Sequence, residues 1–355
     1  MNKNDINEKK QARPSIDKPH QYGRCFIDGI ILCSRFRIGF LFAVILISGY
    51  RLLSAEENYD YEMTTVGKHG DEVLGVFVNS ADTKVATCSK DKTIKIWSLP
   101  DGKELLTIRG HEGPVNNLSF SGNDKWLASC SDDKTVRVWD VNTGKEIKKF
   151  GGQKDKVIGV YFSQDDSSTY IASAGFDKTI KLWDIRSNEE VKSFKGHSDL
   201  TNNIAYSYDG KFLASCSDDK TIKIWSTDLK SDKELMTLSG HQDNVLTVLF
   251  SFDSKKLVSA DEGGMLIVWD MPSGEIRKKI RASYDMIQDV SIAGDNNTIV
   301  TASLDNLVKL WNLTTGENLM TFDTKVEIWA VDINSESNII IIGCRDGSVR
   351  FLKRK

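Results

Sequence analysis

The chain has 355 residues, 40% hydrophobic and 27% charged, with five prolines and a formal net charge of −3. That balance excludes wholesale disorder, a collagen-like chain and a strongly basic nucleic-acid binder. Six cysteines over this length are too dilute for a disulfide-stapled scaffold.

Residues 1–34 form a polar N-terminal extension with little periodicity, and residues 35–55 read as a signal-peptide-like or anchor segment. Arg35 and Arg37 precede the uncharged run IGFLFAVILISGY (38–50), which RLLSAEE (51–57) follows. At 13 residues the run is short for a bilayer span and matches the apolar core of an export signal. Ser54 and Ala55 ahead of acidic Glu56 and Glu57 place a cleavage near Ala55. The leading expectation is export, periplasmic or secreted. The alternatives are a cytoplasmic protein and an uncleaved anchor, which would touch membrane only through residues 38–50. Whether residues 1–34 belong to the translated chain is left open by this pattern.

From residue 58 to the end the sequence repeats. Six of the eight tryptophans fall at 97, 139, 183, 225, 269 and 311, spaced by 42 or 44 residues. A further step lands on Leu352, whose string DGSVRFL matches DKTIKIW at 91–97, giving seven units. Within a unit, short alternating apolar runs are bounded by Gly, Asp, Ser and Asn turns, the pattern of strands joined by tight turns. The second unit reads GHEGPVNNLSF, KWLASCSDDKTVRVWD, EIKKF; the fourth reads GHSDLTNNIAY, KFLASCSDDKTIKIWS, ELMTL. Four strands per unit of this length make one blade of a β-propeller. The string YEMTTVGKH (61–69) aligns with KELLTIRGH (103–111), so it supplies an outer strand without its own inner three. The last unit lacks an outer strand, so the N-terminal strand is expected to complete it and close the ring.

With Gly110-His111, Gly196-His197 and Gly240-His241 opening units, and Trp139-Asp140, Trp183-Asp184 and Trp269-Asp270 closing them, the chain resembles the WD40-repeat proteins. The resemblance covers residues 58–355 and implies an all-β, seven-bladed propeller. It also implies a buried hydrogen-bonded set per blade: His69, Thr87, Asp91, Trp97; His111, Ser129, Asp133, Trp139; and His197, Ser215, Asp219, Trp225. A Ser/His/Asp set suggests a protease, but repetition in three blades makes it scaffold. Other units depart: Gln153 replaces His in the third, Gly263 the turn Asp in the fifth and Ser283 the His in the sixth. The seventh keeps Asp346 alone, with Thr324, Ile342 and Leu352 elsewhere. Blades five to seven are therefore expected to be locally less stable than blades one, two and four. Cys88, Cys130 and Cys216 occupy matching strand ends and Cys344 a place one position off; all four read as small buried hydrophobes, while Cys25 and Cys33 lie outside the repeats.

No phosphate loop, GxSxG elbow, HExxH helix or Cys/His ligand spacing is present, so the reading is not an enzyme and takes no metal or cofactor. Residues 1–57 carry nine basic and six acidic side chains, leaving 38 basic against 44 acidic and a net −6 in the repeats, the wrong sign for nucleic acid. The resemblance implies protein partners docked on the top face. Two positions per blade are assigned there. One precedes the turn Asp: Lys90, Asp132, Phe176, Asp218, Glu262, Leu304 and Arg345. The other follows the first apolar residue of the inner strand: Leu74, Asn116, Ile158, Asn202, Leu246, Gln288 and Trp329. These vary between units where the scaffold repeats. Trp329 and Phe176 are the expected aromatic anchors, and Asp132, Asp218 and Glu262 suit a basic peptide or loop. The function expected is a non-catalytic interaction scaffold. Its alternative is an intracellular subunit of a regulatory or RNA-processing complex, and a third reading is an enzyme with a site in the central channel.

Overall fold

Each apolar run of the repeat is a strand, and each Asp- or Ser-rich junction a turn, because residues such as Ile94–Ser98 alternate between two faces that both need cover. The computed structural model describes residues 59–164, 169–229 and 234–355. The export-signal segment, its cleavage near Ala55, Cys25 and Cys33 lie outside the described residues.

Among the described residues, 28 strands form seven four-stranded antiparallel sheets. Blade 1 runs outward from the ring centre through Val73–Val78, Lys84–Ser89, Ile94–Ser98 and Glu104–Ile108. Blades 2 to 6 repeat this order from the inner strands Val115–Phe120, Val157–Phe162, Thr201–Tyr206, Val245–Phe250 and Ile287–Ile292. Blade 7 contains Ile328–Ile333, Ile339–Cys344 and Ser348–Arg354, and its fourth strand is Tyr61–Lys68 from the other end of the repeat region. That strand pairs from Tyr61↔Arg354 to Lys68↔Ser348, with one bulge between Thr65 and Gly67. Each inner strand touches the next around the circle, blade 7 against blade 1 included. The ring is thus sealed within one chain, as the phase of the repeat predicts.

Seven apolar clusters fill the seven junctions between blades. Between blades 1 and 2, Ala86, Cys88, Ile94 and Ile96 face Leu118, Leu127 and Trp139. Between blades 7 and 1, Ile341, Val349 and Phe351 face Val73, Val85 and Trp97. Alternate residues of one strand therefore serve opposite neighbours: Val85 looks back to blade 7 and Ala86 forward to blade 2. Both faces are dry, and the middle strands read as continuous apolar runs. Cys88, Cys130, Cys216 and Cys344 lie in this packing as free thiols.

At one end of the ring the hairpin turns after the inner strands are tied to each other. Asp124 accepts from the Ser80 N–H at 3.0 Å and the Asn79 amide at 2.9 Å, joining blades 2 and 1. Asp82 accepts from the Ser335 N–H at 3.0 Å, joining blades 1 and 7. Asn296 accepts from the Asp253 N–H at 3.1 Å, and Ser254 from the Asp209 N–H at 3.0 Å, joining blades 6 to 5 and 5 to 4.

Because the first described strand belongs to the last blade, removing residues 58–68 exposes the edge of Ser348–Arg354 and opens the ring. The expected outcome is loss or strong depression of the single thermal transition of the whole domain, measured by circular dichroism. A truncated chain that melts with the full-length protein contradicts this closure.

Candidate functional site

At the opposite end lie the Asp turns and the histidines. In blade 2 the Trp139 indole donates to Ser129 Oγ at 2.8 Å, and Ser129 Oγ lies 2.7 Å from His111 Nε2. His111 Nδ1 lies 2.8 Å from Asp133. A neutral ring satisfies every group: Nε2 accepts from the serine and Nδ1–H donates to the carboxylate. Blade 4 repeats this chain through Trp225, Ser215, His197 and Asp219. Blade 1 modifies it. His69 Nε2 meets Thr87 at 2.8 Å, but Nδ1 meets Thr93 at 3.0 Å, with Asp91 further off at 3.4 Å. The glycine before each histidine lies on the indole. A Cβ at Gly110, Gly196 or Gly240 would come within 2.9 Å of the Trp139, Trp225 or Trp269 ring.

The departures are repaired unevenly. Blade 5 lacks the turn Asp at Gly263, yet Asp261, two residues earlier, reaches His241 Nδ1 at 2.7 Å, and Ser259 and Trp269 complete the set. The gap expected there in the hydrogen-bonded set is filled. In blade 3 the Gln153 amide, oriented to satisfy both ends, donates to Asp177 at 2.7 Å and accepts from Ser173 at 2.9 Å. Blade 6 keeps two halves: Ser283 donates to Asp305 at 3.0 Å, and Trp311 donates to Thr301 at 3.0 Å. Blade 7 has Leu352 for Trp and uses Asp346 to accept from Ser348 and Arg350. The full chain of bonds is therefore missing in blades 6 and 7.

Burial pushes His69 down to about 4, against the opposing pull of Asp91. It lowers His111 and His197 too, against Asp133 and Asp219. Burial alone would raise the Asp133 carboxyl, but hydrogen bonds from His111 and Thr135 outweigh it and hold that group well below the usual carboxylate range. These groups are poised to stay as they are near neutral pH, which suits a scaffold.

The fourteen variable positions assigned from the sequence converge on this same end through two repeated devices. Every inner strand carries a bulge, for instance between Val73 and Gly75, Val115 and Asn117, and Ile328 and Ala330. The residues skipped by pairing in the seven blades are Leu74, Asn116, Ile158, Asn202, Leu246, Gln288 and Trp329. A bulge releases one residue from the ladder and re-aims its side chain. The backbone N–H of each position before the turn Asp then bonds the carbonyl two residues ahead of the bulge residue. Asp132 to Pro114 is 3.1 Å, Phe176 to Lys156 3.0 Å, Leu304 to Met286 3.0 Å and Arg345 to Glu327 2.9 Å. Lys90, Asp218 and Glu262 do likewise, each at 3.0 Å.

The side chains at these positions differ in what they already touch. Asn116 and Asn202 donate to Asp132 and Asp218 and to the Val157 and Val245 carbonyls of the next blade, all within 2.9 Å. Asp132 is also held by Lys156 at 2.6 Å, so the acidic rim expected from Asp132, Asp218 and Glu262 is in part neutralised. Lys90 and Arg345 both lie 3.6 Å from Glu72, and Arg345 also binds Glu327. Leu74, Ile158, Leu246, Leu304 and Phe176 are half-buried. Trp329 is half-buried as well, and its indole N–H is enclosed with no acceptor among the described residues. Two half-buried carboxylates that line the channel, Asp289 and Asp332, were not among the residues assigned from the sequence. The available signal was an acid inside an inner strand: other units carry Gly, Asn, Thr or Ala in the place of Asp289, and Phe, Ser, Tyr, Ala or Leu in that of Asp332.

The WD domain, G-beta repeat model matches seven times, at residues 61–98, 102–140, 144–184, 188–226, 232–270, 274–312 and 316–351. These matches span nearly all of the described chain, and the protein belongs to the WD40-repeat family. The first matched repeat begins in the strand that completes blade 7, so sequence repeat and blade are offset by one strand. The chain is also similar to the protein transport protein sec13 of Schizosaccharomyces pombe, 40% identical over 55 residues. That match takes in 15% of this chain and 18% of the relative.

Neutral buried His69 gives stability a direction with pH. The unfolded chain takes up its proton below about 6.5 and the native site only near 4, so stability falls as pH drops through that window. Gln already fills the equivalent place in blade 3, so His69→Gln should preserve folding and remove this slope. Urea unfolding at pH 7 and pH 4.5 should show the variant losing about 2 kcal/mol less than the parent. Equal losses would contradict the assignment.

Proposed function

We propose that the protein is a non-catalytic scaffold that holds partner proteins on the end of the ring carrying the fourteen positions. The observation behind this reading is the repeated bulge, which presents one side chain per blade that the scaffold does not dictate. The family supplies the coarser statement, a protein-interaction propeller. Trp329 is the leading anchor. Its enclosed N–H has no partner among the described residues, at a typical cost of about 1–3 kcal/mol, where the side-chain N–H groups of Asn116 and Asn202 each find acceptors. Phe176, Leu304, Leu74 and Ile158 add apolar contact. Asp218 and Glu262, with Asp132 partly neutralised, carry the acidic character toward a basic loop, and Lys90 and Arg345 mark the opposite sector.

Two locations compete. The run 38–50 and the small residues before Glu56 support an exported or anchored protein. The partial likeness to a protein transport protein supports a subunit of an intracellular assembly. Intact mass and N-terminal sequencing across cell fractions separates them. A chain starting near Glu56 outside the cytoplasm supports export, and a full-length chain in the cytosol supports the assembly subunit.

Changing Trp329 and Phe176 together to Ala should weaken capture of the native partner by about a hundredfold or more, at unchanged thermal stability. Undiminished capture by the folded double variant would refute docking at this end.

A further inference from the structure

The other mouth of the channel is a different kind of site. There the seven inner strands and their hairpin turns enclose a cavity of ≈ 630 Å³ that none of the fourteen positions line. Four carboxylates line it: Asp82, Asp124, Asp289 and Asp332. No Lys, Arg or His is among its described lining residues. Each carboxylate is held by neutral donors. Asp289 accepts from the N–H groups of Val290 at 2.9 Å and Val331 at 3.1 Å. Asp332 accepts from the Val78 N–H at 2.6 Å, the Ile333 N–H at 2.8 Å and Ser291 Oγ at 2.5 Å. Asp124 is bound by Asn79 and Ser80, and Asp82 by Ser335. These bonds stitch neighbouring blades but bring no positive charge into the cavity.

The same cavity has aromatic walls. Phe77, Tyr161, Tyr208 and Phe252 line it, with the Tyr208 and Phe252 rings 4.6 Å apart. Phe252 stands at the rim and is 41% exposed, although large apolar side chains are otherwise mostly buried in this fold. An uncompensated acidic cavity focuses a negative potential on its entrance. An aromatic face beside it favours a cation with an apolar stem over a small hydrated ion.

We propose that this mouth receives an arginine or lysine side chain from a basic segment of a partner protein. The stem packs on Phe252 and Tyr208 while the cationic head meets Asp289 and Asp332. The proposal concerns the end of the ring away from Trp329 and stands independently of docking there. It also carries a pH signature. Burial pushes Asp289 up to about 8 and Asp332 up to about 6. The other titratable groups facing them are Asp82, Tyr161 and Tyr208, with the buried Cys88 thiol near Asp289. An arriving cation therefore displaces a proton near neutral pH, and binding strengthens as pH rises from 6 to 8.5.

The test uses the full chain and fluorescein-labelled Gly-Ser peptides carrying a central Arg-Arg, Glu-Glu or Phe-Phe pair, read by fluorescence anisotropy. The Arg-Arg peptide should bind, with affinity at least about fivefold higher at pH 8.5 than at pH 6. Phe252→Lys, which places a cation on an exposed rim position, should weaken it about tenfold or more. Asp332→Asn should do the same where it folds. The Trp329/Phe176 double Ala variant should bind the peptide as the parent does, so failure here and failure of the docking face are told apart. No binding of the Arg-Arg peptide, equal or tighter binding of the Glu-Glu or Phe-Phe peptide, or unchanged affinity in Phe252→Lys overturns the proposal.

Discussion

No blade of this ring can bury its own sheet. Each four-stranded sheet is apolar on both faces, and each face finds cover only on the neighbouring blade. The seven junction clusters are therefore one circular dependency, and a free end anywhere would expose two of the faces. Exchange of the outermost strand between the first and last repeats removes that end. Tyr61 lies in the cluster between blades 6 and 7, although it stands near the start of the repeats. A contact between residues so distant in the chain makes the domain a closed unit rather than an open array.

On that frame, polar groups divide by position. At one end, tryptophan, hydroxyl, neutral imidazole and ionised carboxylate form a chain of hydrogen bonds that fixes the turns. Where a member is lost, a nearby group can take over, as Asp261 does for blade 5 and Gln153 for blade 3. The bulge in every inner strand then adds a residue that neither ladder nor packing specifies. Side chains can change at these points without disturbing the junctions, and this is the ground for proposing that partners dock there. At the other end, turn residues and channel carboxylates tie blade to blade and leave a cavity lined by uncompensated acid.

The blade grammar was legible because the structural roles repeat. A tryptophan recurring every 42 or 44 residues, with Gly-His ahead and Trp-Asp behind, fixes strand order and phase, and the phase predicts the closing strand. The fourteen positions were legible for the converse reason, as places that vary within a constant pattern. What escaped was geometry that crosses between repeats. Asp261 replaces Gly263 only because its strand end points at His241. Asp289 and Asp332 come together with Tyr208 and Phe252 only because the ring closes, and nothing local to blade 6 or blade 7 reveals the far wall of the channel. The indole of Trp329, without an acceptor among the described residues, is likewise a property of its neighbours, since the same bulge holds an Asn whose amide N–H groups are bonded in blades 2 and 4.

The central claim is that the bulge positions of the ring are where this scaffold meets other proteins. The most direct measurement is cross-linking mass spectrometry on the protein isolated with its partners from its native cell. The account predicts that cross-links from a co-purifying protein cluster around Lys90, Lys134, Lys156 and Lys325, at the end of the ring with the Asp turns. Cross-links confined to the outer strands around Lys103, Lys148 and Lys278, with that end left free, would contradict it.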